Sequence, residues 1–307
     1  MELRQLRYFV RIVDLGSLSK AAADLYVAQP ALSRTLGALE AELETPLLVR
    51  SVRGVTPTEA GKALYRQAQG MLRQASSIAD EVRSAGAAPQ GAVSVGIPFS
   101  ASNILAPALL AAVRDKLPKV KLAITEAVSG ALEAQLAAGR LDLSVLYERE
   151  RRTPRVEEHA LLVEELYLVS AGRAGRAEVT LAEAVRRPFI LPGPANSTRQ
   201  ILDKAMRKSG GRLEVIAEVD SPSTMKAMVA AGLGATVLSR SALHPEGARP
   251  ALAIQRIVRP TLSRALNLCT SRDGTATRAS ECVREILEET ALGLVRRGVW
   301  KGATAAR

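Results

Sequence analysis

Three polar side chains, Gln29, Ser33 and Arg34, stand at helical spacing on one face of a short N-terminal segment. Glutamine can pair with adenine through two hydrogen bonds, arginine can pair with guanine or hold a phosphate, and serine can bond to either kind of group. This pattern favours a helix that enters the major groove of DNA, although the same face could be the solvated side of an ordinary helix. The opposite face carries a leucine stripe that predicts burial, formed by Leu32, Leu36, Leu39 and Leu43.

The residues before this segment predict the elements that would position it. Helically spaced apolar residues from Leu3 to Val13 indicate a first helix, which Gly16 ends. A short helix from Leu18 to Leu25 follows, and only Tyr26, Val27 and Ala28 separate it from the helix that begins at Gln29. Two short helices with so short a connection are typical of a helix-turn-helix.

A basic segment with a glycine turn follows the helix-turn-helix. It lies between two β-prone stretches, which predicts the wing of a winged helix, with Arg50 and Arg53 near the phosphates or the minor groove. Lys20 and Thr56 are further candidates for contacts with the DNA backbone.

The helix after the wing repeats its apolar residues at alternating intervals of four and three. We expect Thr56 to cap this helix, Pro57 to occupy its first turn and Glu59 to complete a capping box. The 4-3 alternation favours pairing with a partner helix, although the stripe could instead pack on the chain's own core. Paired helices imply a DNA site with two-fold symmetry. The apolar seam consists of Leu64, Ala68, Met71, Ala75, Ile78 and Val82, and a hinge is expected at 85–91.

The first 61 residues resemble the N-terminal domain of LysR-type transcriptional regulators. The resemblance depends on the Ala-Ala pair at 21–22, Gln-Pro-Ala-Leu-Ser at 29–33, Leu-Glu-x-x-Leu at 39–43 and Thr-Pro-Thr-Glu-Ala-Gly at 56–61. Within the family, the chain is most similar to the nitrogen-assimilation-control and related aromatic-compound regulators. The resemblance places Gln29, Pro30, Ser33 and Arg34 on the recognition helix, and Arg50 and Arg53 on the wing.

Two positions depart from the family pattern. Ala28 stands where many members have serine or threonine before the recognition helix, and an alanine N-cap typically costs about 0.5–2 kcal/mol relative to serine. The aromatic residue usual before the arginine of the wing is also absent, because the chain has Leu47, Leu48 and Val49 there.

From residue 91 the sequence alternates between strand and helix patterns, which predicts mostly parallel sheets covered by helices. The later segments 265–270 and 276–296 are expected to return to the first of two α/β lobes, so two strands would cross between the lobes. This organisation also matches the LysR effector domain, which resembles type 2 periplasmic binding proteins. The expected fold is therefore mixed: an α-rich winged helix-turn-helix at 1–58, a linker helix and hinge at 59–90, and a bilobal domain at 91–307. Lobe I would comprise 91–163 and 267–297, and lobe II 164–266.

Ligands in such a fold bind at the carboxyl ends of strands, near helix N-termini. Four loops of this kind carry small polar residues, each of which could simply cap a helix. Together they would form a pocket for a small organic anion, with Arg199 gripping a carboxylate or sulfonate. The family also places its co-inducer here. The candidates are Ser100, Ser102, Asn103, Ser129, Asn196, Ser197, Thr198, Arg199 and Ser221.

The net charge of +11 comes from 42 basic and 31 acidic residues in a chain of 307. Residues 1–90 hold 11 basic residues against 9 acidic ones, so most of the surplus lies in the large C-terminal part. The expectation of DNA binding therefore depends on a few placed residues and not on bulk charge. The surplus itself favours an anionic ligand or an acidic partner surface.

The composition excludes several other classes of protein. The counts of 2 Cys and 2 His exclude a disulfide framework and a zinc cluster. The sequence also has no phosphate-binding or dinucleotide-binding motif, so we expect neither an enzyme nor a metal, and no cofactor other than the co-inducer. No apolar run approaches the roughly 18 residues of a membrane span, and the N-terminus lacks a signal peptide, so a cytoplasmic location is expected. The tail from Gly298 to Arg307, with the lone Trp300, is expected to be a mobile end.

The sequence thus predicts a LysR-type regulator whose promoter binding or activation is modulated by a small anionic co-inducer. Its expected partners are double-stranded promoter DNA, one or three further copies of the chain, and RNA polymerase. The alternatives are a bilobal small-molecule-binding protein without specific DNA recognition and a nonspecific nucleoid protein.

Overall fold

The computed structural model describes residues 1–51, 54–83, 88–148, 153–243, 252–272 and 276–306. The chain forms two compact units, one made of Met1–Ala85 with Ala138–Arg140 and the other of Gly86–Ala137 with Leu141–Arg307. The finer boundaries predicted at residue 58 and within the second unit stay predictions, and the predicted hinge lies partly outside the described residues. None of the helices in the described ranges has the length and apolar character needed to span a membrane.

The first unit has the element order of a winged helix-turn-helix followed by a long helix. Gly16 ends the first helix in the left-handed region at φ 60°, and Ser17 caps the second by accepting a bond from the amide of Lys20. The elements are α1 (Leu3–Leu15), α2 (Leu18–Asp24), α3 (Gln29–Glu42), β1 (Leu48–Ser51), β2 (Gly54–Pro57) and α4 (Glu59–Arg83).

The leucine stripe of α3 packs inward at Leu32, Leu36 and Leu39, whereas the prediction was wrong for Leu43, which follows the end of α3 and is 38% exposed. Leu32 and Leu39 are fully buried in a core that also contains Phe9 and Ile12 of α1. The start of α3 has no side-chain cap, because Ala28 can offer only its carbonyl, which accepts from the amides of Ala31 and Leu32.

Glu40 of α3 fixes the entry to the wing hairpin. Its Oε1 atom accepts from the amides of Leu47 at 2.7 Å and Leu48 at 3.2 Å. One carboxylate therefore satisfies two amides where the chain leaves the helical layer and begins β1.

The cap of α4 is Thr58, and the prediction of Thr56 as the cap was wrong. The Thr58 hydroxyl accepts from the Gly61 amide at 2.9 Å and donates to the Pro46 carbonyl at 2.8 Å. Thr56 instead pairs with Val49 in the wing hairpin, which extends through Pro57. Both threonines precede a helix-forming stretch, and only the length of the hairpin decides between them.

The second unit consists of two lobes joined by two long strands, β6 (Val156–Ala171) and β12 (Ser263–Ser271). Lobe I contains β3 (Gly91–Pro98), α5 (Phe99–Lys116), β4 (Val120–Ala127), α6 (Ser129–Ala137), β5 (Leu143–Tyr147), α10 (Arg278–Arg296) and β13 (Ala303–Ala305). Lobe II contains β7 (Glu178–Thr180), α7 (Leu181–Ala184), β8 (Phe189–Leu191), α8 (Ser197–Ser209), β9 (Val215–Glu218), α9 (Pro222–Ala230), β10 (Thr236–Ser239) and β11 (Leu252–Val258). A short 3-10 helix spans Ser241–Leu243.

The main sheet is mixed, whereas the sequence predicted mostly parallel sheets. Its strand order is β4-β3-β5-β12-β6-β11-β7, with β10 and β13 also paired to β6. The strand pairs β3–β4, β3–β5, β7–β11 and β8–β9 are parallel. Every neighbour of β6 is antiparallel to it among the described strands. For β12 this follows from its course, since β6 passes from lobe I to lobe II and β12 returns.

The C-terminal tail packs on the second unit through Trp300 and a short strand, and the prediction of a mobile end was wrong for its described residues. Trp300 is 1% exposed, and its Nε1 atom donates to Oε1 of Glu164 at 2.7 Å. The residues that follow form β13, which pairs with β6 from Ala303↔Glu164 to Ala305↔Leu162. A three-residue strand has no periodicity that could reveal it in the sequence.

The identity of the α4 cap can be tested by two matched substitutions. Thr58→Ala is expected to lower the free energy of unfolding by about 1–2 kcal/mol, because it removes the helix cap and the bond to Pro46. Thr56→Ala should change the free energy of unfolding much less. Urea unfolding followed by circular dichroism measures both, and a larger loss for Thr56→Ala would contradict the assignment.

Candidate DNA interface and effector pocket

The predicted recognition residues lie together on the first turns of α3. Gln29, Pro30 and Arg34 are exposed, and Ser33 is half-buried. Arg50 reaches this face from β1, since its Nη2 atom lies 3.3 Å from Oγ of Ser33. The wing strand and the recognition helix therefore present one continuous polar surface.

The flanking candidates are also accessible. Lys20 on α2 and Thr56 on β2 are both exposed, and Ser19 of α2 donates to Oε1 of Gln29 at 3.3 Å. This bond orients the amide of Gln29, leaving its NH₂ group available as a donor. Arg53 lies outside the described residues.

The sequence reasoning did not select Tyr26, although it occupies the turn of the helix-turn-helix. The residue is 96% exposed and adopts a positive φ of 55°. A fully exposed tyrosine between the two helices can donate its hydroxyl to a phosphate. The signal available in the sequence was an aromatic side chain in a three-residue connection, where small polar residues are usual.

The apolar seam of α4 divides into two parts. Leu64 packs partly against the core of the first unit, and Ala68 is fully buried. Met71 and Ile78 are 44% and 54% exposed in the single chain, and Ala75 is half-buried. The side chain of Val82 lies outside the described residues. The interpretation that the stripe packs on the chain's own core thus holds for its first turns and not for Met71 and Ile78.

A cavity of about 200 Å³ lies in the second unit, where α5, α6, α8 and α9 begin. A volume of this size fits a small molecule, since pockets for drug-sized ligands are larger. Residues from the first turns of these helices line the cavity, so backbone amides without helical partners surround it. Helix N-termini attract negative charge, so this arrangement suits an anionic ligand.

The structure brings together five of the nine predicted effector residues. Ser100, Ser129, Asn196, Ser197 and Thr198 line the cavity. Two of them also serve the fold, because Ser129 accepts from the Tyr147 amide at 3.1 Å and Asn196 caps α8. The functional and capping interpretations of these residues are therefore compatible.

Four of the predicted effector residues do not line the cavity. Ser102 is buried and donates to Oε1 of Glu126 at 2.6 Å, and Asn103 is exposed. Ser221 caps α9 by accepting from the amide of Thr224. The guanidinium of Arg199 is occupied by Asp203, four residues later on the same helix, and by Glu218 at 3.2 Å.

The arginine of the cavity is Arg264 on β12, which the sequence reasoning did not identify. Its side chain is 5% exposed, and its guanidinium lies over the ring of Tyr147, with 3.4 Å between Cζ and the ring centroid. The guanidinium donates to hydroxyls from both lobes: Ser100 at 3.0 Å, Thr198 at 3.1 Å and Ser239 at 2.9 Å.

Glu164 on β6 is the counter-ion of Arg264. The two residues are directly opposite in the register of β6 and β12, with Nη2 and Oε2 3.1 Å apart. Glu164 also accepts from the Tyr147 hydroxyl at 2.8 Å, from Trp300 at 2.7 Å and from Ser241. Burial raises the pKa of Tyr147, so this phenol keeps its proton and remains a donor.

Comparisons with known proteins agree with both units. The family model for the bacterial regulatory helix-turn-helix protein of the LysR family matches residues 3–62, and the model for the LysR substrate binding domain matches residues 86–292. The nitrogen assimilation regulatory protein Nac of Klebsiella aerogenes is 39% identical over 288 residues, covering 94% of each chain. Nac of Escherichia coli is 35% identical over 288 residues, with the same coverage.

A solved structure shows a similar fold over the whole chain. A full-length OxyR variant from Pseudomonas aeruginosa has a TM-score of 0.74 at 25% identity, covering 100% of this chain and 99% of that one. The chain belongs to the LysR family of transcriptional regulators. It is a DNA-binding regulator with an effector-binding domain and not an enzyme, and its similarity to the nitrogen assimilation regulators is confirmed.

The buried pair can be compared with a more exposed pair that also involves β6. Arg264→Met is expected to lower the free energy of unfolding by about 3–5 kcal/mol, because it leaves a carboxylate that is 1% exposed without its cation. Arg256→Met breaks the neighbouring ion pair between Arg256 and Glu165. Because Arg256 is 41% exposed, this substitution should lower the free energy of unfolding much less. Denaturant unfolding of both variants measures the difference. Equal losses would show that the burial of the Glu164–Arg264 pair has no energetic consequence.

Proposed function

We propose that this LysR regulator binds promoter DNA through paired N-terminal units and responds to a small organic anion in the cavity of its second unit. The observation that carries the proposal is the surface formed by α3 and β1. There an exposed amide, a hydroxyl and two arginines lie on one face of an N-terminal unit that has a helix-turn-helix and the two strands of a wing.

In this proposal, Gln29, Ser33 and Arg34 contact base edges in the major groove. Pro30 fixes the first turn of α3, where no side-chain cap is present. Lys20, Arg50, Arg53 and Thr56 hold the phosphates or the sugar backbone, which sets the register without specifying sequence.

The exposed part of the α4 seam supports pairing of two chains. Met71 and Ile78 follow the same stripe as the buried Ala68, and a partner helix would remove them from water. Two paired units bind the half-sites of an inverted repeat, and two such pairs make the tetramer that we propose for the regulator on its promoter. Its position there would bring it close to RNA polymerase, and the regulator would therefore act in the cytoplasm.

The lining of the cavity supports an anionic effector. Seryl, threonyl and backbone donors from four helix starts surround the space, and Arg264 contributes a guanidinium. We infer that the effector alters how the paired units engage DNA by favouring one arrangement of the lobes. The alternative, a bilobal binding protein without specific DNA recognition, does not explain the exposed polar face of α3.

Specific binding can be tested on a DNA fragment from upstream of the protein's own coding sequence. Arg34→Ala is expected to weaken binding to this fragment by about tenfold to a hundredfold, the range for losing one base contact, with little change on unrelated DNA. Arg7→Ala removes one exposed arginine from α1 and serves as the control. Gel shifts at fixed salt measure both variants, and wild-type protein that does not discriminate between the two DNAs would contradict the proposal.

Pairing through α4 can be tested by adding a charge to the exposed part of the seam. Ile78→Glu is expected to weaken self-association by about tenfold or more, because a buried, unpaired carboxylate would lie between two helices. Ser76→Glu adds the same charge at an exposed position of α4 outside the seam. Sedimentation velocity of the full chain compares them. Equal association by both variants would place the contact between chains elsewhere.

A further inference from the structure

We propose that Glu164 is a built-in competitor of the effector. The effector's acid group replaces the Glu164 carboxylate at the guanidinium of Arg264, and Glu164 stays in place on its other donors. The proposal rests on the proposed function, since it concerns the ligand of the same cavity.

Arg264 occupies the boundary between the cavity and the buried network. Its side chain lines the cavity, as do Ser100 and Thr198, to which it donates. Glu164 does not line the cavity and is 1% exposed. An acid group in the cavity would therefore approach the guanidinium from the accessible side, while Glu164 holds it from the interior.

The contact between Arg264 and Glu164 is the longest that Glu164 makes. Oε2 of Glu164 lies 3.1 Å from Nη2 and 3.3 Å from Nε of Arg264, whereas charge-assisted bonds of this kind are typically about 2.7–2.9 Å. The bonds from Trp300 and Tyr147 are 2.7 and 2.8 Å long, and Ser241 provides a third. Glu164 thus keeps three neutral donors when the guanidinium turns to another anion.

Charge balance then determines which ligands the exchange admits. An acid group supplies the negative charge that the guanidinium gives up, so Arg264 stays neutralised, but Glu164 is then left in the interior with neutral donors alone. This cost weakens the binding of any ligand that displaces Glu164, and a neutral ligand, which cannot neutralise Arg264, gains nothing by displacing it. Asp220 also lines the cavity, where its carboxylate accepts from the Gly193 amide at 3.3 Å. A second negative charge on the ligand would be repelled there. The site therefore favours a small ligand with one acid group.

Two variants change the competition in opposite directions. Glu164→Gln removes the competing charge while keeping the side chain's shape, and we expect it to raise the affinity for a small monoanion by about tenfold or more. Ser241→Ala removes one of the three neutral donors, so Glu164 depends more on Arg264, and we expect the affinity to fall by about threefold. A general loosening of the lobes would instead change the affinities of both variants in the same direction.

The probe is methanesulfonate, with dimethyl sulfone as the uncharged molecule of the same shape. Both are titrated into the full chain at constant ionic strength. Binding is followed by the emission of Trp300, the chain's one tryptophan, which donates to Glu164, and by calorimetry. Glu165→Gln is the control, because that residue is next in sequence and pairs with Arg256 on the other face of the strand.

The expected result is tighter methanesulfonate binding by Glu164→Gln, weaker binding by Ser241→Ala, no change in Glu165→Gln and no response to the sulfone. Equal affinity in wild type and Glu164→Gln, or no measurable binding by folded Glu164→Gln, would overturn the proposal. If Glu164→Gln does not fold, unchanged or tighter binding by Ser241→Ala would overturn it. Gel shifts of the same proteins keep the two proposals separate, because specific binding of wild type to its promoter fragment tests the proposed DNA recognition independently of the exchange at Arg264.

Discussion

The second unit depends on one buried ion pair, Glu164 with Arg264. Both side chains are almost completely shielded from water, and they face each other across the two strands that run between the lobes. A buried charge without its partner is very costly, so the register of β6 and β12 is fixed at this point. A slip by a single residue would turn one of the charges to the opposite face of the sheet.

The same pair determines where the two lobes meet around the cavity. The guanidinium donates to Ser100 of lobe I and to Thr198 and Ser239 of lobe II, while the carboxylate accepts from Tyr147 and Ser241. Compared with a well-packed apolar pair, a buried ion pair adds little net stability. Its contribution here is directional, since a planar guanidinium with fixed donors holds hydroxyls from both lobes at set distances.

The first unit was predictable from sequence because its determinants are local. The leucine spacing of α3, the glycine after α1 and the serine before α2 each act within a few residues, and each has the predicted role in the structure. The starts of α6, α8 and α9 were predictable for the same reason, whereas α5 begins at Phe99, within a segment that the sequence predicted to be a loop. The choice between Thr56 and Thr58 was not, because it depends on how far the wing hairpin extends before α4 begins.

The charged group of the cavity could not be found in this way. Arg199 follows a polar segment and matches the expected pattern, yet it lies in the first turn of α8 and two nearby carboxylates occupy it. Arg264 lies in a strand and has no local signal, and its counter-ion is 100 positions away in the chain. The burial of Trp300 was not predictable for a related reason, since its partner Glu164 is 136 positions away. Contacts of this range arise from the topology of the crossing strands and leave no pattern in a short window.

The position of Trp300 also bears on the order in which a growing chain can acquire its structure. The helix-turn-helix is complete within the first third of the sequence, so it can fold while the rest is still being synthesised. Lobe I, by contrast, needs β12, α10 and β13, and the carboxylate of Glu164 gains its indole donor only after residue 300 has left the ribosome. During synthesis, a folded DNA-binding unit can therefore precede a finished cavity in the second unit.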